Sequence, residues 1–217
     1  MTRGTLIVFE GLDKAGKSTQ CQLLVESLQK AQGRNVKHLR FPDRSTPIGS
    51  MIDSYLRGQS HQEDHVIHLL FSANRWELAS TIENDIKNGT DVVIDRYYYS
   101  GCVYSAAKNN PSLDLYWARQ PEVGLPRPDV CLFLDISADK AAARGGYGAE
   151  RYESKQMQDR VRELFAVLQN SPEKEDFVRV DAGQILEKVE ADIFKAVMAV
   201  VNRITVDQPP LRKVEPW

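Results

Sequence analysis

Short apolar runs rich in β-branched residues alternate along the chain with longer segments whose apolar residues recur at helical spacing. The runs have the length and composition of buried strands, and the longer segments have the 3.6-residue period of amphipathic helices. We predict five strands, over residues 5–10, 36–41, 91–95, 129–135 and 176–180. Because strands that alternate with helices build parallel sheets, the pattern favours an α/β fold with one parallel sheet and helices on both faces.

The helical segments lie between those strands. We predict helices over residues 19–30, 48–57, 63–88, 98–108, 111–119, 138–144, 155–169 and 184–203. In the longest, Ser60 and Glu63 form a capping-box signature, and Gly89 ends the helix. Its apolar stripe consists of Val66, Leu69, Leu70, Ala73, Trp76 and Ile82. A tail from residue 205 contains three prolines and is predicted to be extended or disordered, and we interpret residues 1–217 as one domain.

Composition and charge narrow the functional classes. With 217 residues, 42% hydrophobic and 27% charged, the chain has the ordinary composition of a globular domain, and its net charge of −2 gives no support for nucleic-acid binding. Cys21, Cys102 and Cys131 form no CxxC pair and lie among apolar or small neighbours, which favours reduced, buried thiols. No apolar run approaches membrane-spanning length, and the first strand begins too early for a signal peptide. We therefore expect a soluble intracellular protein, cytoplasmic or nuclear, that does not bind membranes.

A phosphate-binding motif lies at residues 11–18, Gly-Leu-Asp-Lys-Ala-Gly-Lys-Ser, which match the P-loop pattern at every fixed position. The motif follows a predicted strand and precedes a predicted helix, as a P-loop does. Gly11 and Gly16 allow the backbone to curl around a phosphate, Lys17 is placed to reach the β- and γ-phosphates, and Ser18 is placed to bind Mg²⁺. The loop therefore predicts an ATP site formed by Gly11, Asp13, Lys14, Ala15, Gly16, Lys17, Ser18 and Thr19.

Charged residues follow the second and third predicted strands. Arg44 and Arg96 come after these strands, and ligands of parallel sheets bind at the carboxyl ends of the strands. Arginine grips phosphate through a fixed fork of donors, so the pair predicts a second substrate that carries a phosphate. Asp95 ends the third strand, where a carboxylate can assist Mg²⁺ beside Ser18, although it could instead cap the next helix.

Phe71 and Arg75 are four residues apart and share one face of the long predicted helix. A ring beside a guanidinium could stack on a base and donate to its carbonyl groups. The alternative is a core phenylalanine with an arginine that extends to solvent, and periodicity alone leaves both open.

Five linked motifs complete a family resemblance. They are Phe-Pro-Asp-Arg-Ser-Thr at 41–46, His-Leu-Leu-Phe-Ser-Ala-Asn-Arg-Trp-Glu at 68–77, Asp-Arg-Tyr at 95–97 followed by Ser100 and Gly101, Gln-Pro at 120–121, and Glu-Arg-Tyr-Glu at 150–153. With the P-loop, they resemble thymidylate kinases of the eukaryotic type. The resemblance runs from the first strand to Glu153 and fades in the last two helices. It implies a P-loop kinase fold with a lid at about 144–154, and phosphorylation of dTMP to dTDP with ATP and Mg²⁺.

The resemblance also implies roles for individual residues. Arg44 and Arg96 match the residues that hold the dTMP phosphate, Phe71 the ring that stacks on thymine, and Arg75 the donor to its carbonyl. The remaining expected dTMP-binding residues are Asp13, which matches a carboxylate that accepts from the 3′-hydroxyl, together with Phe41, Leu56, Ser100, Gly101, Tyr104 and Tyr152. Arg144 matches the residue beside adenine.

The expected catalytic residues are Lys17, Arg96 and Lys14. Lys14 is a departure, because eukaryotic members of the family usually carry arginine there. A lysine offers a point charge instead of two parallel contacts, so Arg144 and Arg151 remain alternatives for neutralising the γ-phosphate.

Several alternatives stay open at this point. A deoxynucleoside kinase or another nucleoside monophosphate kinase would share the fold, and a regulatory P-loop module would share the nucleotide site. A GTP switch is disfavoured because no Asn-Lys-x-Asp segment is present. The resemblance implies a homodimer, for which the apolar face of the long helix could form either the interface or part of the core.

Overall fold

The computed structural model describes residues 2–137, 140–141 and 151–217. Within them, five parallel strands form one sheet in the order β2-β3-β1-β4-β5. The strands are β1 (Leu6–Gly11), β2 (Val36–Arg40), β3 (Asp91–Asp95), β4 (Val130–Asp135) and β5 (Phe177–Asp181). The prediction of a five-stranded parallel sheet is confirmed. The central strand β1 is buried along its whole length, so the loop that follows it starts from the middle of the sheet.

The helices described by the structure cover both faces of the sheet. They are α1 (Lys17–Gln32), α2 (Pro47–Leu56), α3 (Asp64–Trp76), α4 (Ala79–Lys87), α5 (Tyr98–Ala106), α6 (Leu115–Arg119), α7 (Lys155–Leu168) and α8 (Leu186–Asp207), with short 3₁₀ turns at Gln120–Glu122 and Lys174–Asp176. Alternate strand residues point to opposite faces. Leu6 and Val8 pack with α4, α5 and α7, whereas Ile7 and Phe9 pack with α1 and α8. This alternation places two apolar cores around one sheet.

The single helix predicted over residues 63–88 is wrong, because the structure contains two helices, α3 and α4. The break falls at Leu78, whose backbone precedes the first turn of α4. No glycine or proline marks this position. The Glu77 carboxylate accepts from the Asn74 amide and the Thr46 hydroxyl, each at 2.9 Å, so tertiary contacts hold the junction. The predicted capping box is also absent: Glu63 itself caps α3 and accepts from His65 N–H at 2.8 Å.

Helix α3 exposes part of its apolar stripe. Val66, Leu69 and Trp76 are 44%, 46% and 42% exposed, whereas His68 and Arg75 on the opposite face are buried. Ile82, the last member of the predicted stripe, lies in α4 and packs against the sheet. Val66, Leu69 and Trp76 therefore do not belong to the core of the described part of the chain, whereas Leu70 packs against the small cluster of α2 and α3.

The tail is extended, but it is packed against the domain instead of being disordered. Helix α8 continues to Asp207, and Lys213 then forms an antiparallel bridge with Pro126. Val214 is 1% exposed, and the Arg119 guanidinium donates to the Glu215 carbonyl at 2.9 Å. The proline content indicated an extended backbone. It did not predict the packing of the tail, because the residues that the tail contacts are remote in sequence.

The remaining predicted helices agree with the structure to within a few residues, except at 111–119, where the helix spans only Leu115–Arg119 after a cap at Asp114. Most of the predicted helix 138–144 and of the lid at 144–154, including Arg144, lies outside the described residues. No helix in the described part of the chain combines the length and apolar character needed to cross a bilayer.

Candidate active site

A cavity of about 530 Å³ opens at the carboxyl ends of β1, β2 and β3. It brings together most of the residues that the sequence singled out. Its lining includes Asp13, Lys14, Gly16, Lys17, Ser18, Thr19, Phe41, Arg44, Leu56, Phe71, Arg75, Asp95, Arg96, Ser100, Gly101, Tyr104 and Tyr152. Gly11 and Ala15 do not line it: Gly11 lies against the Leu134 carbonyl, and Ala15 packs in the core. Arg144 lies outside the described residues.

The loop between β1 and α1 has the backbone of a phosphate cradle. Gly16 has φ 93° and directly precedes the first turn of α1, so backbone N–H groups point out of the helix N-terminus. Gly11 has φ 137°, and a Cβ at that position would lie 2.5 Å from the Leu134 carbonyl oxygen. Lys14 has a positive φ of 63° without being glycine. The chain is therefore held in an uncommon conformation where an anion would bind.

Lys17 is the buried cation of this cradle. Its side chain folds back, and Nζ donates to the carbonyl oxygens of Gly11 at 3.1 Å and Leu12 at 2.6 Å. Burial, and then the nearby charge of Arg96, lowers the pKa of Lys17 to about 8. A bound polyphosphate would add negative charge beside an amine that donates to two carbonyl oxygens.

Ser18 and Asp95 form a pair of oxygen donors beside the cradle. The Ser18 hydroxyl donates to the Asp95 carboxylate at 2.5 Å, and Asp95 is 2% exposed. Hard cations such as Mg²⁺ prefer oxygen ligands and take their remaining ligands from phosphates and water. The described residues contain no cluster of three or more His, Cys, Asp or Glu that could hold a metal by itself. The donor set therefore fits a Mg²⁺ ion that arrives with a nucleotide.

Arg96 links the cradle to the rest of the cavity. Its backbone has φ 66°, and its N–H donates to the Phe9 carbonyl at 3.0 Å, which turns the side chain back over β1. The guanidinium contacts Asp13 at 2.5 Å and Ser100 Oγ at 3.1 Å. Burial opposes ionisation of Asp13, but Arg96 and Lys17 outweigh it and lower the pKa of that carboxyl group. An acidic and a basic group thus meet in charged form inside the cavity.

Glu10 is a site residue that sequence reasoning missed. It is fully buried and accepts from the backbone N–H groups of Tyr97 at 2.9 Å and Ser100 at 3.0 Å, and from the Ser100 hydroxyl. Burial raises its pKa, although Arg96 opposes the rise. Glu10 thereby caps the first turn of α5 and fixes the segment that carries Arg96. A carboxylate inside an apolar strand was the available signal.

Gln158 on α7 is a second missed residue. Its side-chain amide donates to Asp13 Oδ2 at 2.7 Å and to the Tyr152 carbonyl at 3.0 Å. It is 4% exposed and lies on the buried side of an amphipathic helix, where a polar residue was the signal. Gln158 joins the phosphate loop to the segment that precedes α7.

Phe71 and Arg75 both line the cavity, and Arg75 does not extend to solvent. It is 2% exposed, and its Nε donates to Glu122 at 2.9 Å, while Nη2 contacts the other oxygen of the same carboxylate. A Cβ at Gly101 would lie 2.5 Å from Nη2, so only glycine leaves room for the guanidinium. The structure therefore excludes the alternative in which Arg75 extends to solvent.

Aromatic side chains and a further arginine, Arg44, complete the walls. The rings of Tyr104 and Tyr152 lie 5.6 Å apart, and Phe41 lies 5.7 Å from Tyr97. Arg44 lines the cavity and contacts Asp53 at 2.6 Å. Arg44 and Arg96 therefore reach the same cavity as the phosphate cradle.

The candidate cations of the loop and the lid lie in different places. Lys14 lines the cavity, with Nζ 3.7 Å from the Glu153 carboxylate. Arg151 does not line it, because its Nε donates to the Tyr55 carbonyl at 3.2 Å and its guanidinium lies 4.3 Å from the Tyr55 ring. In this arrangement Lys14 is better placed than Arg151 to meet a phosphate.

Comparison with known proteins identifies the family. A family model described as thymidylate kinase matches residues 9–193. Thymidylate kinase of Danio rerio is 46% identical over 207 residues, covering 95% of each chain, and that of Homo sapiens is 48% identical over 191 residues, covering 88% of each. The solved structure of thymidylate kinase from Candida albicans is similar with a TM-score of 0.82 and 36% identity, over 93% of this chain and 94% of that one. Together with the phosphate cradle and the arginine-lined cavity, these similarities place the chain in the thymidylate kinase family.

Proposed function

We propose that the protein catalyses ATP-dependent phosphorylation of dTMP to dTDP by direct phosphoryl transfer. The observation that carries the proposal is one cavity that is lined both by the Lys17 cradle and by Arg44 and Arg96. Two sets of phosphate-binding groups in a single cavity suit a donor and an acceptor that both carry phosphate. Family membership supports the same reaction and does not favour the deoxynucleoside kinase or regulatory-module alternatives.

At the donor end, Lys17 and the backbone of residues 11–18 would bind the ATP phosphates. Ser18 and Asp95 would hold Mg²⁺, which when bound offsets the charge of the β- and γ-phosphates. Lys14 is the cation we assign to the transferred phosphate, since it lines the cavity and Arg151 does not. Arg144, which matches the family residue beside adenine, is part of the same proposal.

At the acceptor end, Arg96 and Arg44 would grip the dTMP phosphate. Phe71 would stack on the base, and Arg75 would donate to a base carbonyl. The rest of the proposed pocket consists of Asp13 at the sugar together with Phe41, Leu56, Ser100, Gly101, Tyr104 and Tyr152. Asp13 belongs to the phosphate loop and contacts Arg96 at 2.5 Å, which couples the acceptor to the donor cradle.

The chemistry requires positioning more than proton transfer. The attacking oxygen belongs to an ionised phosphate, so no general base is needed. The fixed cations Lys17 and Arg96 both donate to the Gly11 carbonyl, and they would offset the repulsion between the two negatively charged reactants. Lys17 is buried and Arg96 is partly buried, and such interactions are stronger there than in water.

The proposal is tested by coupled ADP release with dTMP, dUMP, dCMP, UMP, CMP, AMP and thymidine as acceptors. We expect dTMP to give the highest kcat/KM and thymidine to give no turnover. Better turnover of UMP, CMP or AMP would overturn the choice of acceptor, and turnover of thymidine would indicate a deoxynucleoside kinase. Comparing ATP with GTP as donor separates the kinase from a guanine-nucleotide switch.

We also propose a homodimer and an intracellular location. The exposed Val66, Leu69 and Trp76 form one apolar face of α3, and a second copy of the chain could cover it. Cytoplasmic or nuclear residence is supported by the buried, free thiols of Cys21, Cys102 and Cys131, which suit a reducing compartment.

A further inference from the structure

Glu122 lies behind Arg75 and does not itself line the cavity. It lies in the 3₁₀ turn after α6, its side chain is completely buried, and it accepts from Arg75 Nε at 2.9 Å and from Nη2. The turn is held by α3, because Ser72 Oγ and Trp76 Nε1 both donate to the Pro121 carbonyl, at 3.0 and 2.8 Å. One short turn thus presents a carboxylate to Arg75 at a fixed position.

The pairing decides which way the guanidinium faces. A guanidinium has five N–H donors in a rigid plane, and the carboxylate takes the edge formed by Nε and Nη2. Nη1 makes no hydrogen bond within the described residues, and Arg75 lines the cavity. The free donors therefore belong to the side of the plane that Glu122 does not occupy.

One face of the Arg75 guanidinium is fixed by α5. A Cβ at Gly101 would lie 2.5 Å from Nη2 and 2.9 Å from Nη1, so the guanidinium is packed against bare backbone. Glu122 along one edge and Gly101 against one face restrict the orientation of the Arg75 guanidinium. A buried charge that is paired on one edge and packed on its face has little freedom to reorient.

His68 keeps the surroundings of this pair neutral. Its Nδ1 lies 2.7 Å from Ser105 Oγ, and its Nε2 lies 3.8 Å from Glu122, beyond hydrogen-bond distance. Burial, and then the charge of Arg75, lowers the pKa of His68 to about 3. At neutral pH the imidazole does not compete with Arg75 for the Glu122 carboxylate.

We propose that Glu122 is a positioning residue that sets base specificity, by orienting the unpaired N–H donors of Arg75 toward a carbonyl oxygen of the base. Donors that cannot turn away donate to a base oxygen and oppose an exocyclic amino group, whose hydrogens would face them. Glu122 would thus favour thymine and uracil over cytosine without touching the nucleotide. The inference rests on the proposed function, in which Arg75 contacts the base.

The test compares E122Q and E122D with wild type, using KM and kcat for dTMP, dCMP and ATP. We expect E122Q to raise KM for dTMP about 10- to 100-fold, the scale of a hydrogen bond to a charged group, and to lower the preference for dTMP over dCMP. KM for ATP should stay near wild type, which a general structural defect would not allow. E122D keeps the charge and should lie between E122Q and wild type. A preference for dTMP over dCMP that is the same in both variants as in wild type would overturn the inference.

A double-mutant cycle keeps the inference testable if E122Q folds poorly. If Glu122 acts only through Arg75, adding E122Q to R75M should leave KM for dTMP as it is in R75M alone. A further rise in KM for dTMP would contradict that route. Loss of dTMP turnover in the wild type would instead refute the proposed function, so the two failures are distinguishable.

Discussion

Gln158 holds Asp13 at two points. Its amide nitrogen donates to the Asp13 carboxylate at 2.7 Å, and its amide oxygen accepts from the Asp13 backbone N–H at 3.2 Å. The same nitrogen donates to the Tyr152 carbonyl at 3.0 Å. A single side chain on α7 therefore sets both the conformation of the phosphate loop at Asp13 and the position of the segment before α7.

This contact predicts that Gln158→Glu weakens acceptor binding. A carboxylate cannot donate to Asp13, and it places a like charge beside a buried one. We expect KM for dTMP to rise about tenfold or more, the cost of losing a hydrogen bond to a charged group and adding repulsion. Gln156→Glu is the matched control, since Gln156 is exposed in the same turn of α7 and receives the same charge. Equal KM values for the two variants would contradict the role of Gln158.

The Ser18–Asp95 pair predicts a specific metal defect. Ser18→Ala removes one of the two oxygen donors that fit Mg²⁺, so the Mg²⁺ concentration for half-maximal activity should rise about 10- to 100-fold. Titration of activity with Mg²⁺ at fixed ATP measures this. Ser18→Thr keeps the hydroxyl and should remain near wild type. A lower kcat with an unchanged Mg²⁺ requirement would argue against Ser18 as a ligand.

The lowered pKa of Lys17, about 8, predicts proton uptake when ATP binds. At pH 9 the amine is mostly neutral in the free protein, and a bound polyphosphate raises its pKa toward the ordinary value of 10.5, so the amine gains a proton. Calorimetric titrations in buffers of different ionisation enthalpy should show uptake of about one proton at pH 9, and much less at pH 7. Lys17→Arg stays charged in both states and should show none. A wild-type protein without uptake at pH 9 would refute this assignment.

The pairing of Arg119 with Glu173 predicts a large loss of stability on Glu173→Gln. Both side chains are buried, and the two hydrogen bonds between them measure 2.6 and 2.9 Å. Removing one charge leaves the other unpaired inside the protein, which costs about 3–5 kcal/mol in the free energy of unfolding. Urea denaturation measures the loss. Glu175→Gln is the control, because Glu175 is 68% exposed and its loss should cost less than about 0.5 kcal/mol.

The outward face of α3 predicts that Leu69→Glu disrupts the proposed homodimer. A charge in the centre of an apolar interface is desolvated without a partner and opposes association. Sedimentation velocity should show a dimer for the wild type and a monomer for the variant. Leu186→Glu is the matched control, since Leu186 on α8 is 49% exposed, close to the 46% of Leu69. A dimer that survives Leu69→Glu would place the interface elsewhere.

Local sequence patterns were sufficient to predict the sheet and the phosphate loop. β-branched runs marked all five strands, and the glycines at 11 and 16 marked backbone that the structure holds at positive φ. The placement of Arg44 and Arg96 followed from a rule of parallel sheets. Arg96 comes directly after β3 and Arg44 lies in the loop that follows β2, and the structure brings both to one cavity.

What the sequence did not reveal depends on partners far along the chain. The break at Leu78 has no local marker, because Glu77 is held by Thr46, 31 residues away. Gln158 is a polar residue on the apolar side of a predicted helix, but its role could not be assigned, because its partner Asp13 is 145 residues away. A buried polar side chain is recognisable as such only when the group that satisfies it is known.

The positive φ of Lys14 lowers the stability of the fold, whereas the charge of its side chain is assigned to turnover. A non-glycine residue in this conformation costs about 1–3 kcal/mol, and its ion pair with Glu153, 3.7 Å long and partly exposed, returns little of it. A library screened for thermal tolerance alone should therefore enrich glycine at position 14. The same substitution removes the cation that we assign to the transferred phosphate. Directed evolution of this enzyme must therefore select for turnover and heat resistance in the same round. Selection for heat resistance alone would replace Lys14.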